Sequence, residues 1–145
     1  RALCHRGDAP FHVTARTDAR AATGLDEALR RARAFADAGA DAVFVEAPES
    51  EDEMALVRAS VPAGVTLVAN MVEQGRTPLR PATALAAAGY RMIVVPVTGV
   101  LAAARALETA YGTLARDGAT AAAASDLMGF DELNALLELD ASYRH

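Results

Sequence analysis

The sequence predicts an α/β fold built on parallel strands, and three features of its patterning carry that prediction. Four short apolar runs recur roughly 25 residues apart. They are apolar throughout rather than alternating, as strands buried on both faces are. A segment of helical periodicity follows every one of them. The first run, Phe11 to Ala15 (FHVTA), stops at the polar cluster Arg16-Thr17-Asp18. Between Leu25 and Ala38 the residues Leu25, Ala28, Leu29, Ala32, Phe35 and Ala36 repeat at the helical period. Asp26 and Glu27 suit the positive end of that helix, and Gly39 closes it. The second run, Asp41 to Val45 (DAVFV), ends at Glu46 and Pro48, and Glu49 to Ser60 returns to helix with its acids at the start. The third, Val65 to Ala69 (VTLVA), runs into Asn70 and a polar loop from Met71 to Pro81. A short helix from Ala82 to Ala88 then ends at Gly89. The fourth, Met92 to Val95 (MIVV), reaches Pro96 and Thr98, and an alanine-rich helix from Val100 to Arg116 ends at Asp117-Gly118. Residues 1–118 thus hold four strand–helix units, and residues 119–145 a linker (Ala119 to Ala124) and an amphipathic helix. That last helix, Phe130 to Leu139 (FDELNALLEL), puts Leu133, Leu136 and Leu137 on one side and needs a surface to pack on. Arg1 to Pro10 read as the end of a helix begun earlier, so the chain is expected to start within a fold.

Composition removes several classes of function. With 145 residues of which 52% are apolar, the chain can bury a core of ordinary size and is not disordered. Charged residues make up 23%, the net charge is −5 and no run of like charge reaches five, so neither nucleic acid nor a membrane surface is an expected partner. The single cysteine, Cys4, cannot close an internal disulfide, and no apolar stretch of membrane-spanning length or signal-peptide pattern occurs. A cytoplasmic protein is expected. No glycine-rich phosphate fingerprint is present either. Cys4 and His5 fall on a connector and are not read as catalytic; His12 is read as a packed strand histidine, and His145 is terminal.

The strand ends carry the chemistry. Parallel α/β folds bind ligands at the carboxyl ends of their strands. There the sequence switches from apolar residues to Arg16 and Asp18, then Glu46, then Asn70, then Thr98 after Pro96. An arginine at such a position offers a carboxylate two parallel hydrogen bonds, which makes Arg16 the first candidate for substrate binding. Glu46 can accept a substrate hydroxyl or hold a magnesium-bound water, and Asn70 can both donate to and accept from an oxygen-rich ligand. The alternatives at this point are an Arg16–Asp18 ion pair that only holds the loop, similar mutual pairing of Glu46 and Asn70, and Thr98 as the N-cap of the last long helix.

The runs Val13-Thr14-Ala15-Arg16-Thr17-Asp18-Ala19, Ala38-Gly39-Ala40-Asp41 leading to Val45-Glu46-Ala47-Pro48, and Ala69-Asn70-Met71-Val72-Glu73 with Gly75 and Thr77-Pro78 resemble, in order and spacing, the isocitrate lyase/phosphoenolpyruvate mutase superfamily. The stretch from Asn70 to Pro78 is most similar to the branch of oxaloacetate decarboxylases, 2-methylisocitrate lyases and carboxyvinyl-carboxyphosphonate phosphorylmutases. The resemblance implies the second half of a (β/α)8 TIM barrel, plus a C-terminal helix exchanged between subunits of a dimeric or tetrameric homo-oligomer. It implies Mg2+ or Mn2+ held by aspartates of the first half, and a mobile Lys-x-Cys-Gly-His loop there; neither feature is present in this sequence, and Cys4 is not that loop's cysteine. Carried over residue by residue are Arg16 as carboxylate anchor, Glu46 as a polar ligand reaching a metal at most through water, and Asn70 as a third contact. Asp18, Thr77 and Pro96 are further candidates. The implied reaction is cleavage of a carbon–carbon bond in a small 2-oxo or 2-hydroxy acid, of oxaloacetate or 2-methylisocitrate type. Phosphonate-processing members tend to carry histidine where Glu46 stands, which disfavours a phosphonopyruvate-type activity. A catalytically silent half-barrel serving as an assembly module is the remaining alternative, and the chain by itself is expected to be inactive and, with open sheet edges, unstable as a monomer.

Overall fold

Four parallel strands form one sheet in the order in which they occur in the chain: β1 (Thr14–Thr17), β2 (Ala42–Val45), β3 (Thr66–Asn70) and β4 (Met92–Val94). Because no neighbour is skipped, the sheet has no point at which strand order reverses, the order that successive strands of a TIM-barrel-type wall follow. The computed structural model describes residues 11–139. By internal contacts these fall into two units divided between Thr98 and Gly99.

In the first unit the connections are α1 (Ala19–Ala22), α2 (Leu25–Asp37), α3 (Glu51–Ser60) and α4 (Ala82–Ala87). Each has a local cause. The Thr17 hydroxyl accepts from the Ala19 amide at 3.2 Å and turns the chain into α1. The Ser50 hydroxyl accepts from the Glu53 amide at 3.1 Å, capping α3, whose first turn is Glu51, Asp52 and Glu53. Gly89 follows α4 at φ +86°, and a Cβ there would lie 2.6 Å from Cδ of Arg58. The Arg58 guanidinium in turn donates to the carbonyls of Gly89 (3.3 Å) and Pro62 (2.8 Å), tying the ends of α3 and α4 together.

One face of the sheet, carrying Val43, Val45, Leu67, Ala69 and the half-buried Ile93, belongs to a single core cluster with Ala28 and Ala32 of α2, Met54 and Val57 of α3 and Leu85 of α4. Tyr90 is buried in the same cluster, donates to the Met54 carbonyl at 2.9 Å, and burial pushes its phenol above the ordinary value. On the other face the register aligns Arg16, Phe44, Val68 and Met92 in one row. Arg16 and Met92 are exposed and Phe44 is half-buried.

The second unit holds nearly all of α5 (Thr98–Asp117), a 3-10 turn at Ala121–Asp126 and α6 (Phe130–Leu136). Val100, Leu107, Tyr111, Phe130 and Leu136 on these helices are exposed. Among the described residues no helix is long and apolar enough to cross a membrane.

Several local expectations shift. The first strand begins at Thr14 rather than Phe11 and takes in Arg16 and Thr17. The cause is Asp41: its carboxylate accepts from the Val13 amide at 2.7 Å, while the amides of Asp41 and Ala42 donate to the Val13 carbonyl. Asp41 therefore closes the start of the ladder instead of opening β2. His12 precedes the strand and is exposed, not packed. The one-turn helix α1 was not expected, and part of the alanine linker is helical. Thr98 is the first helical residue of α5, and its hydroxyl donates to the Glu73 carboxylate, so it is tied to the loop after β3. Cys4, His5, His145 and the stretch from Arg1 to Pro10 lie outside the described residues.

Candidate functional site

Three adjacent strands bring Arg16, Glu46 and Asn70 together. Arg16 sits one residue from the end of β1, Glu46 immediately follows β2, and Asn70 ends β3. The Arg16 Nη2 is 3.2 Å from Oε2 of Glu46 and 2.8 Å from Oδ1 of Asp18, and its Nε donates to Oδ2 of Asp18 at 3.3 Å. Its guanidinium carbon stands 4.8 Å from the centre of the Phe44 ring, a cation–π contact that fixes the plane of the head group. The hydrogen bond to Arg16 holds the Asp18 carboxyl below the usual carboxylate range and raises the guanidinium in turn. Asn70 Nδ2 lies 3.4 Å from both oxygens of Glu46. The Asn70 Oδ1 is buried and has no partner, an acceptor that an incoming O–H or N–H would satisfy.

Glu46, Asn70, Gly75, Arg76 and the buried Thr77 line one cavity of about 250 Å³. Pro96 is exposed and does not line it. Ala47, on the same lining, has φ 57°, a left-handed conformation that costs a residue with a Cβ about 1 kcal/mol and turns the chain just after Glu46. On the loop after β3, a Cβ on Gly75 would lie 2.9 Å from the Val72 carbonyl oxygen, so the tight turn there requires glycine. Glu73, two residues before Gly75, accepts from Thr98, which holds its carboxyl below the usual range; its Oε2 is buried without a partner.

A second polar network escaped the sequence reading. Arg20 on α1 donates through Nε and Nη2 to Glu53 at 2.7 Å each, and through Nη2 to Glu49 at 2.8 Å; the other Glu49 oxygen meets Arg76 at 3.3 Å. Arg20 and Glu53 are 33 residues apart, and no local pattern announces such a pair. The Arg20 guanidinium holds the Glu53 carboxyl below its usual value of 4.5. A carboxyl depressed in the folded state stabilises it above the unfolded value, and the contribution is lost as pH falls through the lower folded value. Acidifying from about pH 5 to about pH 3 is therefore expected to lower the melting temperature more in the wild type than in Glu53→Gln. Parallel losses in circular-dichroism melts would show that the Arg20 pair adds nothing to stability.

Among the described residues no three acidic, histidine or cysteine side chains converge as a metal site would require. Glu46, with the orphaned Asn70 oxygen beside it, offers oxygen acceptors of the kind that contact the water shell of a divalent cation.

A sequence profile of the phosphoenolpyruvate phosphomutase family matches residues 1–115. The chain is 42% identical over 130 residues to 2,3-dimethylmalate lyase of Eubacterium barkeri, covering 90% of this chain and 44% of that protein. It is 41% identical over 128 residues to 2-methylisocitrate lyase of Halalkalibacterium halodurans, covering 88% and 42% respectively. The chain thus spans less than half the length of these curated relatives. Among solved structures, it is similar to 2,3-dimethylmalate lyase, a member of the PEP mutase/isocitrate lyase superfamily, with TM-score 0.78 at 35% identity over 90% of this chain and 45% of that one. It is also similar to phosphonopyruvate hydrolase in complex with oxalate and Mg2+, with TM-score 0.76 at 28% identity over 97% of this chain and 50% of that one.

Proposed function

Since the chain belongs to the isocitrate lyase/phosphoenolpyruvate mutase superfamily, we propose that the full-length protein carrying it is a magnesium-dependent lyase or decarboxylase. It breaks a carbon–carbon bond in a small 2-oxo or 2-hydroxy acid. The observation that carries this reading is the contact of Glu46 with both Arg16 (3.2 Å) and Asn70 (3.4 Å) at the carboxyl ends of three neighbouring parallel strands. Arg16 holds the substrate carboxylate through paired N–H donors. Asn70 presents its unpartnered Oδ1 to the substrate hydroxyl, and Glu46 accepts a proton or orders a water beside the bond that breaks. When bound, a divalent ion supplies charge stabilisation for the enolate that forms. The names of the curated relatives, a 2,3-dimethylmalate lyase and a 2-methylisocitrate lyase, support a carbon-only acid as substrate. Exposed Phe130 and Leu136 on α6 suit the exchange of a C-terminal helix within a cytoplasmic homo-oligomer.

The test is pyruvate release by the full-length protein from oxaloacetate, 2-methylisocitrate and 2,3-dimethylmalate. Turnover of at least one is expected, abolished by EDTA and restored by excess magnesium. No turnover of any of the three, or turnover indifferent to EDTA, overturns the proposal.

A further inference from the structure

We propose that Arg76 recognises the second carboxylate of the substrate, and that Glu49 positions it to do so. The inference rests on the lyase reading above and adds to it the residue that selects acids charged at both ends. Arg16, Arg20 and Arg76 are the guanidinium groups paired with the carboxylates around this site, and they differ in how fully those carboxylates neutralise them. Arg16 faces two, Asp18 at 2.8 Å and Glu46 at 3.2 Å. Arg20, with its side chain only 19% exposed, is clamped by Glu53 at 2.7 Å and Glu49 at 2.8 Å. Arg76 has less than one carboxylate to itself. Among the described residues its single ionic contact is with Glu49 at 3.3 Å, the longest ion pair in the set and one made to a carboxylate already shared with Arg20. Its side chain is 63% exposed, which leaves guanidinium donors for a ligand.

Position completes the case. Arg76, on the loop after β3, lines the same cavity as Glu46 and Asn70. The turn closed by the Gly75 amide on the Val72 carbonyl (3.0 Å) presents it there. A cavity that already contains the Glu46 carboxylate repels anions, so a diacid needs a cation beyond Arg16. Glu49, anchored by Arg20, keeps the Arg76 head at the rim until a ligand carboxylate takes over that weak contact.

The experiment is calorimetric titration of the full-length protein, with magnesium present, using oxalate, malate and lactate against wild type, Arg76→Ala and Arg76→Lys. Malate and lactate share a 2-hydroxy acid head and differ in whether a carboxylate stands at the far end. Wild type is expected to bind malate about tenfold or more tightly than lactate. Arg76→Ala should abolish that preference while oxalate and lactate stay within about twofold of wild type. Arg76→Lys, keeping the charge without the fork, should recover part of it. A malate preference that survives Arg76→Ala, its absence from the wild type, or equal weakening of all three acids overturns the assignment. Failure of oxalate to bind wild-type protein overturns the lyase reading instead, whereas oxalate binding with malate affinity unchanged in Arg76→Ala removes only the role of Arg76.

Discussion

In the full-length lyase proposed above, replacing Arg16 by alanine is expected to lower kcat/KM for the acid it cleaves by about 100-fold, the effect of losing a charge-assisted, two-point contact to a carboxylate. The loss is more than a missing attraction. Without the guanidinium, Asp18 and Glu46 present uncompensated negative charge to an incoming anion. Arg16→Lys should recover only part of the rate, because an ammonium offers no planar pair of donors to a carboxylate or to the Phe44 face. The fold should survive both changes: the Arg16 side chain is 49% exposed, and an exposed pair such as Arg16–Asp18 contributes about 0–1 kcal/mol. Steady-state kinetics with matched melting curves separates the outcomes. Wild-type kinetics in the alanine variant would reduce Arg16 to a loop-holding ion pair.

Leu67→Ala should have the largest effect on stability, a loss of about 3–4 kcal/mol. Leu67 is wholly buried on β3, is aligned with Val43 of β2, and belongs to the cluster that α2, α3 and α4 cover. Its removal leaves a void that neighbouring strands, fixed by the ladder on both sides, cannot collapse into. Against a typical total of about 5–15 kcal/mol that is a large fraction. Leu79→Ala is the control: the residue is exposed, and its truncation should stay within about 0.5 kcal/mol. Urea unfolding with the two variants side by side tests the pair, and equal losses would mean that β3 is not at the centre of the core.

The superfamily, the parallel α/β architecture and the placing of Arg16, Glu46 and Asn70 at the ends of neighbouring strands were readable in the sequence, each from patterns within short segments. The architecture follows from an apolar run that ends in a polar residue, repeated once per unit, and the superfamily from the resemblance carried by the motifs around Arg16, Glu46 and Asn70. Parallel pairing in register then has little freedom, because slipping a strand by one residue would turn Val43, Val45, Leu67 and Ala69 away from the helices. Once those four are packed, the ends of the strands align, and the polar residues that terminate them meet.

Where the reading failed, the deciding interaction joined residues far apart in the chain. Phe11 to Val13 look as strand-like as Thr14 to Thr17, but the Asp41 carboxylate takes the Val13 amide and the ladder starts after it. Arg20 and Arg76 look like ordinary surface arginines in sequence. Only folding sets Arg20 between Glu49 and Glu53, and Arg76 at the edge of the cavity that Glu46 lines. The φ of 57° at Ala47 is equally invisible, since nothing in an alanine signals a left-handed backbone. By itself, then, the sequence determined the fold class, the superfamily and the strand-end residues, because hydrophobic periodicity and motif spacing are properties of short segments. The tertiary structure alone decided how the charges of the site are shared among Arg16, Arg20 and Arg76, because a side chain's electrostatic partners are chosen by proximity in space, which chain order does not encode.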